Sequence, residues 1–339
     1  MSCVLRPATG DDLDALYELA KLTGGGFTNL PPARDTLSTK LERSAEALIH
    51  DADEHRDDLF VFVLENSETG LIRGTCQVFT MVGQHWPFYS YRIGTLTQYS
   101  AELNRTFRAD MLTLSTDLEG ASEVGGLFLH PRERAGGLGM LLARSRYLFI
   151  KAHRARFSDR TLAELRGVID EAGGSPFWDG LAGKFFGMSF QEADEFNAVK
   201  GNQFIADLMP KHPIYTAMLP ESARAVIGVP HPSGRAAMRM LENEGFVHDK
   251  YVDIFDGGPS MVAHTDRIAA VRDAVESRVA RIGTSNGERR LCSAGRLASW
   301  RAAYAEVEML DGDEIAIDEL GARLLGVEPG RTVTHVGRS

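Results

Sequence analysis

Three cysteines in 339 residues, Cys3, Cys76 and Cys292, are too few and too scattered for a disulfide framework or a cysteine-rich zinc site. Reduced thiols in a cytoplasmic protein are the expected state. No apolar run approaches the ~18 residues of a membrane span. The opening Met1–Pro7 lacks the apolar stretch of a secretory leader. Lys and Arg number 37 against 47 Asp and Glu, a net charge of −10, so the basic field of a nucleic-acid binder is missing. No Gly-Lys-Ser/Thr follows a glycine loop, as a Walker A motif requires. No Gly-x-Ser-x-Gly elbow marks a hydrolase nucleophile. No pair of His, Asp or Glu has metal-ligand spacing on a common helix, so no metal is expected.

What remains is an ordinary globular composition, 43% hydrophobic, 25% charged and 8% aromatic. At this length it fits two compact α/β units or one large one. Val4-Leu5 begins a strand, and Asp11-Asp12 precede a helix with Leu13, Leu16, Tyr17, Leu19 and Ala20 on one face. Thr23 to Pro32, with three consecutive glycines, is a loop that lets backbone approach a ligand. Leu59–Leu64 and Leu71–Phe79 flank a turn and read as a hairpin. Two later stretches echo each other. Glu164–Ile169 leads to Ser175-Pro176 and a helix closed by Gly187, and Ala225–Gly228 leads to His231-Pro232 and a helix closed by Gly245. Each is expected as strand, loop, cap and helix, with Pro at the first helical position. Ile315–Val333 reads as a small strand–helix–strand addition.

Glu123 to Ile150 is the most informative stretch. Gly126–Leu129 is a strand stopped by Pro131, Arg134-Ala135-Gly136-Gly137-Leu138-Gly139 is a glycine-rich turn, and Met140–Ile150 is helical. Strand, glycine loop and helix start aim free backbone N–H groups at an anion. The dinucleotide fingerprint does not fit, because Leu142 stands where its third glycine belongs.

Arg-x-x-Gly-x-Gly after an apolar strand resembles the acyl-CoA pyrophosphate loop of the GCN5-related N-acetyltransferase fold. Leu5-Arg6-Pro7 with Asp12 and Ala15-Leu16 resembles the opening strand and helix of that fold. More narrowly, the chain resembles the arginine N-succinyltransferase family of bacterial arginine catabolism. The runs that carry this are Thr23–Pro31, Leu127–Leu129, Arg166–Glu171, Ser175–Trp178, Phe204–Tyr215 and Asp253–Pro259. Together they span about residues 3–275.

The resemblance implies an α/β (α+β) fold of two GCN5-related N-acyltransferase-like lobes with mixed sheets. The lobes are expected over 1–155, with the CoA loop, and 156–275, with the catalytic histidine, and a C-terminal appendage over 276–339. It implies transfer of succinyl from succinyl-CoA, a co-substrate and not a tightly bound cofactor, to the α-amine of L-arginine. It implies contact of Leu127 with succinyl-CoA, with Phe128, Leu129, Arg134, Gly137 and Gly139 completing that site. It also implies that His231, in Val226-Ile227-Gly228-Val229-Pro230-His231-Pro232, is the proton donor. The family often has Gln-Val where this chain has Val229-Pro230, and Cys-Thr or Cys-Ser where it has Gly125-Gly126.

A substrate with a guanidinium and two carboxylates calls for matching charges. Asp170 and Glu171 are the candidates for the guanidinium, and Arg166 and Arg92 for anionic groups. A positive helix end at Pro232 is expected to lower the pKa of His231. His130 and His212 precede prolines in loops and are expected to be structural. Succinylation of ornithine or another amino acid, and a catalytically silent subunit, stay open as alternatives. The expected assembly is a homo-oligomer or a heteromer with a related subunit, in the cytoplasm, with no nucleic-acid or membrane partner.

Overall fold

The computed structural model describes residues 2–23, 29–133, 136–201, 203–284 and 286–338. The chain divides into two compact units. The first comprises Met1–Thr80, Ser122–Asp159 and His264–Ser339, and the second Met81–Ala121 and Arg160–Ala263. These units differ from the contiguous segments 1–155, 156–275 and 276–339. Residues 81–121 lie in the second unit and the C-terminal residues in the first. Strand pairing between residues distant in sequence, which no composition shift signals, makes this division.

In the first unit, β1 (Cys3–Pro7), β2 (Leu59–Asn66), β3 (Ile72–Phe79) and β6 (Ser122–Leu129) are neighbours in that order, all antiparallel. Strands β11 (Val275–Ile282), β12 (Glu288–Ala294), β13 (Arg301–Met309), β14 (Glu314–Ile317) and β15 (Thr332–Gly337) continue beyond β1 through β13. Because β12 pairs with both β15 and β13, these five strands close on themselves. Closure leaves no exposed edge. Strands β11 and β14 are parallel, so the sheet is mixed. The expected strand–helix–strand near the end is β14, the Glu319–Leu325 helix and β15.

Helices α1 (Leu13–Lys21) and α2 (Arg34–Ile49) bury Leu16, Leu19, Leu37 and Leu41 against Leu59, Val61 and Val63 of β2. That is the face expected from the three- and four-residue spacing. Helix α3 (Leu138–Ala152) is buried along most of its length, and its Phe149 packs against Phe60, Phe62, Phe157 and Trp300.

In the second unit the sheet order is β7 (Arg160–Glu164), β10 (Pro259–His264), β9 (Val247–Val252), β4 (Ser90–Ser100), β5 (Arg105–Ser115) and β8 (Ile214–Tyr215). Its core gathers Tyr91, Phe177, Trp178, Leu181, Ile205, Val252 and Ile254. Ser175 caps α4 (Pro176–Gly180), accepting from the Trp178 N–H at 3.2 Å, with Pro176 in the first turn as expected. Gly187 takes a left-handed φ of 65° at the end of the Gly183–Phe186 turn.

Two strand expectations fail here. The strand expected over 164–169 ends at Glu164, and Gly167 keeps a single bridge to Pro230. Ala225–Gly228 forms turns after a short Glu221–Arg224 helix. Val226 and Ile227 pack on the core from that turn. A four-residue apolar run identifies burial, and backbone state needs a longer pattern.

Candidate functional site

The first unit carries the strand, loop and helix start singled out in the sequence. Gly136 and Gly137 have φ of 73° and 84°. Both are left-handed, which a Cβ disfavours, so the glycines are required by the turn into α3. Gly137 is the N-cap of α3, and its carbonyl accepts from the Leu141 N–H at 3.0 Å. The N–H groups of the first turn, from Leu138 onward, have no earlier helical carbonyl to meet. No acidic residue stands in that turn. Gly139 has φ outside the left-handed region, and a Cβ there would meet only Leu129 at 3.9 Å. The backbone therefore does not demand glycine at this position. Arg134 and Gly24–Thr28 lie outside the described residues.

Leu127, Phe128 and Leu129 form the end of β6, with Leu127 half-buried and the other two buried. Thr75 pairs with Phe128 and Gln77 with Gly125, so Gly126 and Leu127 together face the single residue Cys76. This is a β-bulge, which leaves ladder groups unspent and re-aims the strand. Gly126 has φ of 58°, and a Cβ there would come within 2.9 Å of the Gln77 side chain. Glycine is thus needed at Gly126 on two counts. A glycine inside a strand pattern signals such a feature, so the bulge was within reach of sequence reasoning.

Behind the bulge lies a polar cluster that no spacing revealed. Lys40 Nζ and Gln77 Nε2 each donate to Asn29 O at 2.7 Å, and Asn29 Nδ2 donates to Glu123 Oε1 at 3.3 Å. Burial raises the pKa of the Glu123 carboxyl and pushes the Lys40 ammonium down to about 8. Its members come from positions 29, 40, 77 and 123, which only the fold gathers.

The second unit carries His231. Its backbone N–H donates to Arg166 O at 2.8 Å, and Pro230 bridges Gly167. The ring caps the Pro232–Gly234 turn. Nδ1 accepts from the Ser233 N–H at 3.3 Å and lies 2.7 Å from Ser233 Oγ. A backbone N–H can only donate, so Nδ1 is the acceptor and the neutral ring carries its proton on Nε2. The histidine pKa is lowered, first by burial and then by the Arg166 charge. The Pro232–Gly234 turn runs straight into the Arg235–Asn243 helix, so His231 stands at a helix start as expected.

Arg166 is the one anion candidate that stands with His231. It is half-buried, and its Nε is buried without a hydrogen-bond partner among the described residues. A buried donor left in this way calls for an explanation. The other candidates are engaged or exposed. Asp170 Oδ1 accepts from the N–H groups of Ala172 and Gly174 at 2.9 and 2.8 Å, which closes its own loop. Glu171 is exposed. Arg92 is exposed and faces Asp117 at 3.5 Å. His130 Nδ1 caps the following turn through the Arg132 N–H. Among the described residues, no group of three His, Cys, Asp or Glu could hold a metal, and no helix is long and apolar enough to cross a membrane.

Comparison with known proteins identifies the family. The model of the arginine N-succinyltransferase beta subunit family matches residues 3–270. The arginine N-succinyltransferase of Escherichia coli O1:K1 is 44% identical over 289 residues, 85% of this chain and 84% of that protein. That of Escherichia fergusonii is 45% identical over the same shares. Subunit AI of the arginine/ornithine succinyltransferase of Pseudomonas aeruginosa superposes with a TM-score of 0.91 at 30% identity, covering 100% of this chain and 99% of that one. The chain belongs to the arginine N-succinyltransferase family.

Proposed function

We propose that the chain transfers the succinyl group of succinyl-CoA to the α-amine of L-arginine, giving N2-succinylarginine and CoA. The observation that carries this is the 44% identity to arginine N-succinyltransferases over 85% of the chain. The retained histidine with a fixed tautomer agrees with it.

Chemistry divides among named groups. The α-ammonium loses a proton, and the amine nitrogen attacks the thioester carbonyl carbon. The C–N bond forms and the C–S bond breaks, the departing thiolate takes the Nε2 proton of the His231 imidazolium, and the second proton of the amine nitrogen, released as the amide forms, restores that imidazolium. Histidine suits this role because its acidity lies near neutrality. The CoA pyrophosphate is assigned to the first turn of α3, where left-handed Gly136 and Gly137 bring backbone close to phosphate. Leu127, at the bulge, is assigned to contact with succinyl-CoA, as the family resemblance implies. Arg166, with its unspent Nε, is assigned to a carboxylate of the substrate. Asp170 and Glu171 remain the candidates for the guanidinium. Asp170 would act through Oδ2, because Oδ1 is occupied.

Ornithine is the second reading, favoured by the arginine/ornithine succinyltransferase whose subunit superposes on this chain. That protein is a subunit, so assembly with a second copy or a related chain belongs to the same proposal. A silent partner would have no need of His231. The purified chain, assayed with succinyl-CoA against arginine, ornithine and lysine, separates these readings.

A further inference from the structure

The second unit contains a buried turn that neither the acyl transfer nor the sequence motifs account for. Asp256 is 7% exposed. Its Oδ2 accepts from the Gly167 N–H at 2.7 Å and its Oδ1 from the Gly258 N–H at 2.8 Å. The turn is itself held by Asp253, whose Oδ1 accepts from the N–H groups of Phe255 and Asp256 at 2.7 and 2.8 Å. Two further bonds tie it to the histidine loop. The Gly228 N–H donates to Gly257 O at 2.8 Å, and the His231 N–H donates to Arg166 O at 2.8 Å.

Close packing explains why glycine stands on both sides. A Cβ on Gly258 would overlap Leu165 O and come within 2.6 Å of Gly167 N. A Cβ on Gly167 would overlap Asp256 O and come within 2.8 Å of Gly258 N. The backbones at 165–167 and 256–258 therefore lie against each other, with one carboxylate joining their amides.

We propose that Asp256 is a positioning residue for the acyl transfer: its carboxylate locks the Arg166–Gly167 backbone, and the Arg166 carbonyl holds His231. The inference rests on His231 being the proton donor. Both carboxylate oxygens meet N–H donors, so the ionised form fits and an amide does not. An asparagine would satisfy one N–H and set its own amide hydrogens against the other. Burial and the neighbouring Asp253 work against that ionised form and raise the Asp256 pKa. The charged or titratable groups around the clamp are Asp253, Arg166 and His231, with His248 against Gly228. A buried carboxylate that must stay ionised costs stability. Here it fixes the geometry of Arg166 and His231.

The test is Asp256→Asn, which preserves size. Turnover should fall about tenfold or more, the scale of a sub-ångström to 1 Å misplacement of a reacting group. The Michaelis constant for succinyl-CoA should stay within about twofold, because uniform binding is untouched. By NMR, the His231 imidazole should titrate at a higher pH than in the wild type, since Arg166 is no longer held beside it. In a His231→Ala background the same substitution should change turnover by less than about threefold, as expected for residues acting as one unit. A folded Asp256→Asn protein with wild-type turnover and an unmoved His231 titration overturns the clamp, and so do independent, multiplying effects. If His231→Ala alone leaves turnover intact, the donor role fails while the imidazole titration still decides the clamp. Should Asp256→Asn not fold, amide exchange on the wild type decides. The Gly167 and Gly258 amides should exchange about a hundredfold or more slower than free-peptide amides, and free-peptide rates would overturn the proposal.

Discussion

Replacing His231 by alanine removes the ring and keeps its anchor. The backbone bond from His231 N–H to Arg166 O and the Gly167–Pro230 bridge do not depend on the side chain. What is lost structurally is the Nδ1 cap on Ser233, which costs about 1 kcal/mol. The protein should therefore stay folded. The CoA assignment involves residues of β6 and α3, so affinity for CoA should stay near wild type. Turnover should fall by about 10²–10⁴-fold, the usual share of general acid–base catalysis. That corresponds to about 3–5 kcal/mol of barrier. Proton donation needs the imidazolium, so wild-type turnover should decline as pH rises through the His231 pKa. Burial and Arg166 lower that pKa, so the decline should begin at a lower pH than for an ordinary histidine. The alanine variant should lose this limb. A thioester with a more acidic leaving thiol needs less protonation and should recover part of the rate. Steady-state kinetics across pH, with thiol release as the signal, reads all of this. A folded His231→Ala protein with near-normal turnover and an unchanged pH profile would refute the role and leave the histidine as a cap.

Other expectations concern separate parts of the molecule. Gly137→Asp places a side chain and a negative charge at a left-handed N-cap, and calorimetry should show CoA affinity falling about tenfold or more, about 1.4 kcal/mol; unchanged affinity in a folded variant sinks the pyrophosphate assignment. Gly126→Val strains a φ of 58° and drives into Gln77, so urea denaturation should show a loss of about 1–3 kcal/mol, whereas a neutral result contradicts the bulge. Arg166→Met should raise the Michaelis constant for the amino acid substrate about tenfold, the cost of a lost charge-assisted hydrogen bond; an effect confined to succinyl-CoA would move Arg166 to the other substrate. Burial pushes His153 and His335 down to about 4, and His153 Nε2 accepts from the Leu297 N–H, a bond that protonation breaks. Both pKa values are depressed on folding, so their stabilisation is full above about pH 6.5 and is lost as pH falls toward about 4. Chemical denaturation at stepped pH should show that slope, and a flat profile over this window would contradict it.

Much of this architecture is readable from local pattern. The three- and four-residue spacing of Leu13, Leu16, Tyr17, Leu19 and Ala20 gives α1, the Leu59–Phe79 hairpin stands where its turn signals put it, and Ser175-Pro176 opens α4. Such features depend on residues that are near in sequence. The Ala225–Gly228 run misleads because burial without periodicity fits a turn as well as a strand. His231 is found through family likeness, but its pKa is lowered by burial, which only the fold creates, and by Arg166, 65 positions away in sequence. The Asp256 clamp and the Asn29–Glu123 cluster are invisible to spacing for the same reason. Asp170 shows the converse: a carboxylate in a loop looks free for a ligand until Ala172 and Gly174 are seen to occupy one of its oxygens.

The most direct test of the account is acyl transfer by the purified chain alone. Incubation with succinyl-CoA and L-arginine, followed by thiol release and mass spectrometry, should show one CoA thiol freed for each N2-succinylarginine formed. Arginine or ornithine should support turnover well above lysine, and His231→Ala should abolish most of it. Absence of succinylated amino acid from the folded wild-type chain, with thiol release no faster than thioester hydrolysis, would contradict the account.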